Sequence, residues 1–351
     1  VSLTGTPFFV LLIVVTVLCV AATLLLWSRL RGPQALRWLL RFLMIALCQL
    51  TAISVVATWM NDDYGLYSSW NDLLGEDDGA VSMVGPPADR ATFSRGDAGT
   101  LDTYFRGRRS RMAGQVIVWT PPQYEEAKYR HTRFPVVLLL HGVPGSPASW
   151  LEHGGMPGDF RQLMEAGTSH PFILAMPVVD PGGVNTDCTD QREGRVATWI
   201  ARDVTELLSH KFRTLPGPKG WGLMGFSTGG FCAVRLPLAY PDVFGTGAAL
   251  DPDPLSGDPT VITDAKSREQ TSPTYMVRHT KASVDLFLAT SAEDQDSPPR
   301  RLREFQRAAA GTNVTTRVMV LPTGGHNYNT WTRLYPPAFS FLSRHTTAPG
   351  R

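Results

Sequence analysis

The chain has 351 residues, enough for one large domain with additions, and a formal charge of +2 at neutral pH. That balance, with no basic run interleaved with aromatics, argues against a nucleic-acid partner. No phosphate-cradling glycine loop follows a strand-like run and no fixed-period repeat is visible, so neither a nucleotide cofactor nor a solenoid is expected.

Pro7–Trp27 is uncharged and apolar on every helical face, long enough to cross a bilayer, and Phe42–Met60 is a second such run. A cleavable signal needs a basic start and a small-x-small cut site. The first run has no basic residue before it, and the second ends in Ala57-Thr58-Trp59-Met60. Residues 1–60 are therefore expected to be a retained two-helix membrane anchor (about 7–27 and 42–60). Arg29, Arg31, Arg37 and Arg41 lie in or beside the short connection, and Asn61-Asp62-Asp63 follows the second run. The positive-inside rule then puts the connection in the cytoplasm and everything after residue 61 outside. Residues 61–98, rich in Gly, Asp, Ser and Pro, read as a linker with local order around Tyr64–Leu74, and 99–351 as the outer domain.

In that domain, strand-like runs fall at Gln115–Thr120, Pro135–Leu140, Phe172–Pro177, Gly220–Met224, Gly245–Leu250, Asp285–Thr290 and Thr315–Leu321. Several are continuous apolar runs, the mark of strands buried on both faces. Arg195–Phe212, Arg301–Ala309 and Tyr335–Leu342 carry helical spacing. Alternating strands and helices predict a mostly parallel α/β sheet with reactive groups at the carboxyl ends of its strands. Cys19 and Cys48 sit in the apolar runs, whereas Cys188 and Cys232 fall in the outer part, where a disulfide persists; a pair is expected between them.

The chemistry centres on Gly225-Phe226-Ser227-Thr228-Gly229, directly after an apolar run and before a helix-like one. Strand, G-x-S-x-G and helix form the context of a nucleophile elbow, which exposes a serine hydroxyl above the sheet. A serine needs a base in hydrogen-bond reach, and the base needs an orienting acid. Of the histidines after Ser227 (His279, His326 and His345), His326 follows a strand through Pro322-Thr323-Gly324-Gly325 and is the candidate base. The preceding strand runs into Glu293, Asp294 and Asp296. Asp294 is the candidate acid with the other two as rivals, and Asp251 and Asp253 are a lesser option. Thr228, at the helix start, and Val143, in His141-Gly142-Val143-Pro144-Gly145, are the candidate oxyanion N–H donors. His141 is expected to brace that loop rather than serve as a second base. The chain has no H-E-x-x-H or His/Asp metal cluster, so no metal is expected.

Residues from about 100 to 346 resemble the esterase D group of the α/β-hydrolase superfamily, which includes the mycolyltransferases. The stretches that carry it are Val118–Pro122 with Tyr124, Leu138–Gly142 with Trp150, and Gly225–Gly230. Leu250-Asp251-Pro252 and Gly324–Asn327 with Trp331 complete the set. The resemblance implies an α/β-hydrolase fold, a Ser227–Asp294–His326 triad and oxyanion donors at Val143 and Thr228. Mycolyltransferases carry an acid-Gly-Leu-Arg run at the oxyanion loop, where this chain has His141-Gly142-Val143-Pro144. The expected function is a membrane-anchored, extracytoplasmic serine esterase or acyltransferase acting on acyl-ester or lipid-like substrates through an acyl-enzyme. A non-catalytic cell-envelope binding protein on the same scaffold is the alternative.

Overall fold

Continuous apolar runs become the interior strands. In Val136–Leu140, Val136, Leu138 and Leu140 join one core cluster, and Val137 and Leu139 join another on the opposite face. A strand with no solvent side must be apolar throughout. The computed structural model describes residues 6–64, 91–181, 185–192 and 194–350. The chain divides into two compact units, Val1–Ala80 and Val81–Arg351.

The second unit holds a nine-stranded sheet. Its strands are β1 (Ser94–Arg95), β2 (Leu101–Arg106), β3 (Ala113–Trp119), β4 (Val136–Leu140), β5 (Ile173–Pro177), β6 (Trp221–Phe226), β7 (Thr246–Leu250), β8 (Asp285–Ser291) and β9 (Thr315–Leu321). Their spatial order is β1-β2-β3-β5-β4-β6-β7-β8-β9. Strands β1 to β3 form an antiparallel edge, β3 pairs antiparallel with β5, and all pairs from β5 to β9 are parallel. The order reverses at β4, so a crevice opens at the carboxyl ends of β4 and β6. This mostly parallel sheet flanked by helices is the α/β-hydrolase architecture.

One face is covered by Trp199, Ile200, Val204 and Leu208 and by the helix after β6; the other by Trp331, Leu334, Tyr335, Phe339 and Leu342. The first four belong to helical segments Val196–Thr198, Trp199–Val204 (a π-helical stretch) and Thr205–Lys211. The helix expected over Arg195–Phe212 is thus present with a wider turn in its middle. The final helix runs Tyr328–His345, well beyond the expected Tyr335–Leu342. Pro336 and Pro337 lie inside it and mask its start, which the Asn327 side chain caps by accepting from Thr330 N–H.

Two boundaries differ from expectation. Ser94 and Arg95, assigned to a linker over 61–98, pair with Asp102 and Leu101, so the sheet begins inside that stretch. Strand β2 lacks the apolar run that marks its neighbours, being an edge-side strand with alternating burial. Most of Tyr64–Leu74 lies outside the described residues.

In the first unit, α1 (Thr6–Leu26) and α2 (Gln34–Tyr64) are separated by Gly32, at φ +127°, and Pro33. Both are long and apolar enough to cross a membrane: mean hydropathy is 3.1 over Pro7–Leu26 and 2.1 over Gln34–Met60. Helix α2 starts earlier than the expected 42, taking Arg37 and Arg41 into its first turns, because Pro33 suits a helix start. The two pack together, with Thr23 Oγ1 3.4 Å from Cys48 Sγ.

Cys188 and Cys232 form a disulfide across a sequence separation of 44. It ties the loop after β5 to the helix that follows β6, α3 (Thr228–Ala239). Buried Arg235 of α3 adds a second tie, donating to Cys188 O at 2.8 Å. Closing a loop of that size removes about 4 kcal/mol of unfolded-chain freedom on the chain-entropy model. Replacing both cysteines by serine should therefore lower unfolding free energy by about 2–5 kcal/mol in denaturant titration of the detergent-solubilised chain; an unchanged midpoint would refute this.

Candidate active site

The site is built at the carboxyl ends of β6, β8 and β9. Strand β6 runs through Gly225 and Phe226, which pair with Leu140 and Leu250, and the chain then turns at Ser227. Ser227 has φ 54° and ψ −124°, a conformation costly for any residue with a Cβ. The turn is possible because the chain is bare on both sides. A Cβ at Gly225 would lie 2.2 Å from Gly229 O, and one at Gly229 would lie 2.0 Å from Leu140 O. Helix α3 begins at Thr228.

Ser227 Oγ lies 3.0 Å from His326 Nε2, and His326 Nδ1 lies 3.0 Å from Asp294 Oδ2. Ser227, His326 and Asp294 are thus brought together from three loops. Asp294 Oδ1 accepts two further N–H bonds, from Asp296 at 2.8 Å and Ser297 at 2.7 Å. Burial works to raise its pKa, but His326 and these N–H groups outweigh it and hold the carboxyl below the usual range. Burial likewise works to lower His326, and the Asp294 bond and charge outweigh it, so the imidazole pKa rises above 6.5.

The rival residues have other places. Glu293 Oε2 accepts Gly324 N–H at 2.9 Å, and Ser291 Oγ donates to Gly324 O at 2.5 Å. These two bonds clamp the histidine loop to the acid loop. Asp296 offers its backbone, not its carboxylate, to Asp294. His279 ends the helix Pro273–His279, with Nδ1 2.8 Å from Tyr275 O. His345 lies 3.0 Å from Asp285, at the start of β8 and so at the opposite end of the sheet.

The loop after β4 passes close over the serine: a Cβ on Gly142 would lie 3.2 Å from Ser227 Cβ. Val143 follows in that loop, and the Thr228 N–H belongs to the first turn of α3, whose N–H groups lack intrahelical partners. His141 holds this loop. Its Nε2 accepts Val179 N–H at 3.1 Å, so its proton is on Nδ1, which donates to Gly142 O at 2.7 Å. Burial pushes its pKa down to about 4. Asp180, 3.8 Å from Nε2, therefore faces a neutral ring and makes no ion pair. His141 braces the loop, as expected, and both its nitrogens are committed.

Two carboxylates that sequence reasoning treated only as alternative acids also meet here. Asp253 Oδ1 lies 3.3 Å from Ser227 Oγ, and its Oδ2 accepts from Thr228 Oγ1 at 2.6 Å. Buried Asp251 accepts Trp331 Nε1–H at 2.8 Å. Trp331 stacks on Phe226 at 4.3 Å and meets His326 edge-on at 5.4 Å. The signal for both acids was their place, directly after the strand that follows the elbow. Donor atoms of Asp251, Asp294 and His326 lie within 4.8 Å of one another. Both His326 nitrogens are already spent on Asp294 and Ser227, so the group suits proton handling better than a metal.

Residues 111–342 match the model of a family described as putative esterase, and the chain belongs to that family. Its sheet has the fold of the solved structures it is similar to. A ferulic acid esterase structure shares the fold with a TM-score of 0.60 and 20% identity, over 70% of this chain and 97% of that one. An S-formylglutathione hydrolase from Agrobacterium tumefaciens follows at 0.58 and 16%, over 75% of this chain and all of its own. A fluorophosphonate-binding serine hydrolase from Staphylococcus aureus has a TM-score of 0.55 and 13% identity, over 70% of this chain and 98% of its own. An uncharacterized protein of Corynebacterium glutamicum is 30% identical over 151 residues, 42% of this chain. The match spans only about a third (34%) of that relative's length.

Replacing His141 by leucine should strand the buried Val179 N–H, costing about 1–3 kcal/mol of stability. It should also lower kcat more than it raises KM, because the loop over Ser227 loses its brace. Unaltered stability and kcat in thermal and kinetic assays would remove His141 from this role.

Proposed function

We propose that this esterase works through Ser227 as nucleophile, His326 as general base and Asp294 as the acid that orients the base. The observation that carries this is the continuous hydrogen-bonded chain from Ser227 Oγ through His326 to Asp294, anchored at a strained elbow. His326 takes the Ser227 proton as Oγ attacks the acyl carbonyl carbon. The oxyanion that forms is met by the backbone N–H groups of Val143 and Thr228, with the positive end of α3 behind the latter. The tetrahedral species collapses to an acyl-enzyme as His326 returns the proton to the departing oxygen. Water, activated by the same imidazole, then releases the acid. An acceptor hydroxyl in place of water makes the same acyl-enzyme a transferase.

The neighbours named for ferulic acid and S-formylglutathione share the fold and differ in acyl group, which supports acyl-ester chemistry without naming the acyl chain. The anchor adds location. Two apolar helices with arginines between them and Asn61-Asp62-Asp63 after the second support a multi-pass membrane protein whose catalytic domain, from about residue 99 onward, lies outside the cytoplasm. The substrate proposed is an acyl ester or lipid-like ester at that membrane face.

Ser227→Ala should abolish fluorophosphonate labelling and reduce kcat on a p-nitrophenyl ester by about 10⁴–10⁶-fold; labelling that persists would displace Ser227. The base must be neutral to act, and His326 has a raised pKa. The acid limb of kcat/KM should therefore fall off as pH drops through a midpoint above 6.5, and a midpoint well below 6.5 would contradict the assignment. Protease added to intact cells should digest the domain after residue 99, whereas full protection would reverse the topology.

A further inference from the structure

We propose that Asp251 is a second acid of this site, a positioning residue that holds its proton beside ionised Asp294 and ionises in its stead when that charge is lost. The inference rests on His326 being the base. Asp251 sits at the carboxyl end of β7 with φ 42°, a left-handed conformation that an aspartate adopts at a cost. Its N–H is fixed to Ala289 O of β8 at 2.8 Å. That geometry turns a fully buried carboxyl toward the acid–base pair rather than toward solvent.

The two acids are supported very unequally. Asp294 receives three N–H bonds, two of them from backbone, which is the environment of a carboxylate. Asp251 receives one, from Trp331 Nε1; the Thr290 hydroxyl beside it makes its short bond, 2.6 Å, to Ser297 O and lends the carboxyl only weak support. Two buried carboxyls this close do not both ionise cheaply, so the better-solvated one takes the charge and the other keeps a proton. Burial first, and the Asp294 charge second, push Asp251 up to about 7. The groups facing it are Asp294 from the β8 loop, His326 from the β9 loop, Trp331 from the last helix and Thr290 from β8. His326 in turn is faced by Asp294, Asp251 and Asp253.

With Asp294 neutralised, the main charge opposing ionisation of Asp251 disappears. Its pKa falls, and a carboxylate appears within 4.8 Å of the imidazole without movement of any strand. The imidazolium formed when Ser227 gives up its proton then still has a buried counter-charge.

The experiment titrates His326 by NMR in the full chain held in detergent micelles, with ring-labelled histidine. It compares the unsubstituted protein with Asp294→Asn, Asp251→Asn and the double variant. In Asp294→Asn the His326 midpoint should stay above 6.5, because Asp251 has ionised. In the double variant it should fall below 6.5, since burial is then opposed by Asp253 alone. Fluorophosphonate labelling of Ser227 should run at least about tenfold faster in Asp294→Asn than in the double variant. Equal His326 midpoints in those two variants would overturn the proposal. Asp251→Asn retains an acceptor for Trp331 Nε1–H. Should the double variant fail to fold, Asp294→Asn decides alone: a midpoint below 6.5 overturns the proposal and one above supports it. Failure of the unsubstituted protein to label would sink the nucleophile assignment and leave the titration readable.

Discussion

Everything at this site depends on one backbone constraint, the left-handed turn at Ser227 between two positions that admit no side chain. The strain at φ 54° is tolerated because β6 on one side and α3 on the other are both buried and hold the turn shut. The approach of Gly229 to Leu140 O also sets the distance between the elbow and the end of β4, and with it the distance from Ser227 to the Gly142–Val143 loop. A single close contact thus fixes Ser227 and the proposed oxyanion donors relative to each other before any side chain is placed. The disulfide acts on the same frame, since Cys232 lies in α3, within two turns of the serine.

On that frame the protein sorts four titratable groups into different charge states by burial, hydrogen bonding and neighbouring charge. Asp294 has the most N–H donors and is ionised. His141 is buried with one donor and one acceptor already matched, and stays neutral. His326 sits between burial, which disfavours its charge, and carboxylates, which favour it, and the carboxylates win. Asp251 has the poorest solvation and carries the proton that Asp294 does not. None of these states follows from residue type; each follows from the burial, hydrogen-bond partners and neighbouring charges the fold supplies.

That distinction separates what the sequence disclosed from what it did not. The central strands were legible because burial on both faces leaves a continuous apolar run, and the elbow because only glycine fits beside it. His326 was legible by elimination among three histidines. The edge strands β1 and β2 were not, because an edge needs no apolar run. The start of the last helix was hidden by Pro336 and Pro337, which the helix carries within it. Choosing among Glu293, Asp294 and Asp296 needed the Ser291–Gly324 and Glu293–Gly324 bonds, pairings made across 33 and 31 residues that no local pattern records.

The same logic bears on what the acyl group is passed to. The oxyanion loop is where this sequence departs from the mycolyltransferases, which carry an acid and an arginine there. Here the corresponding residues are His141, with both nitrogens committed to Val179 and Gly142, and Pro144, which has no donor at all. That loop therefore offers an incoming alcohol no charged group. The carboxylate that touches Ser227 is Asp253, which enters from the opposite side of the crevice, after β7. Its other oxygen accepts from the Thr228 hydroxyl at 2.6 Å, so this carboxylate is fixed beside the elbow.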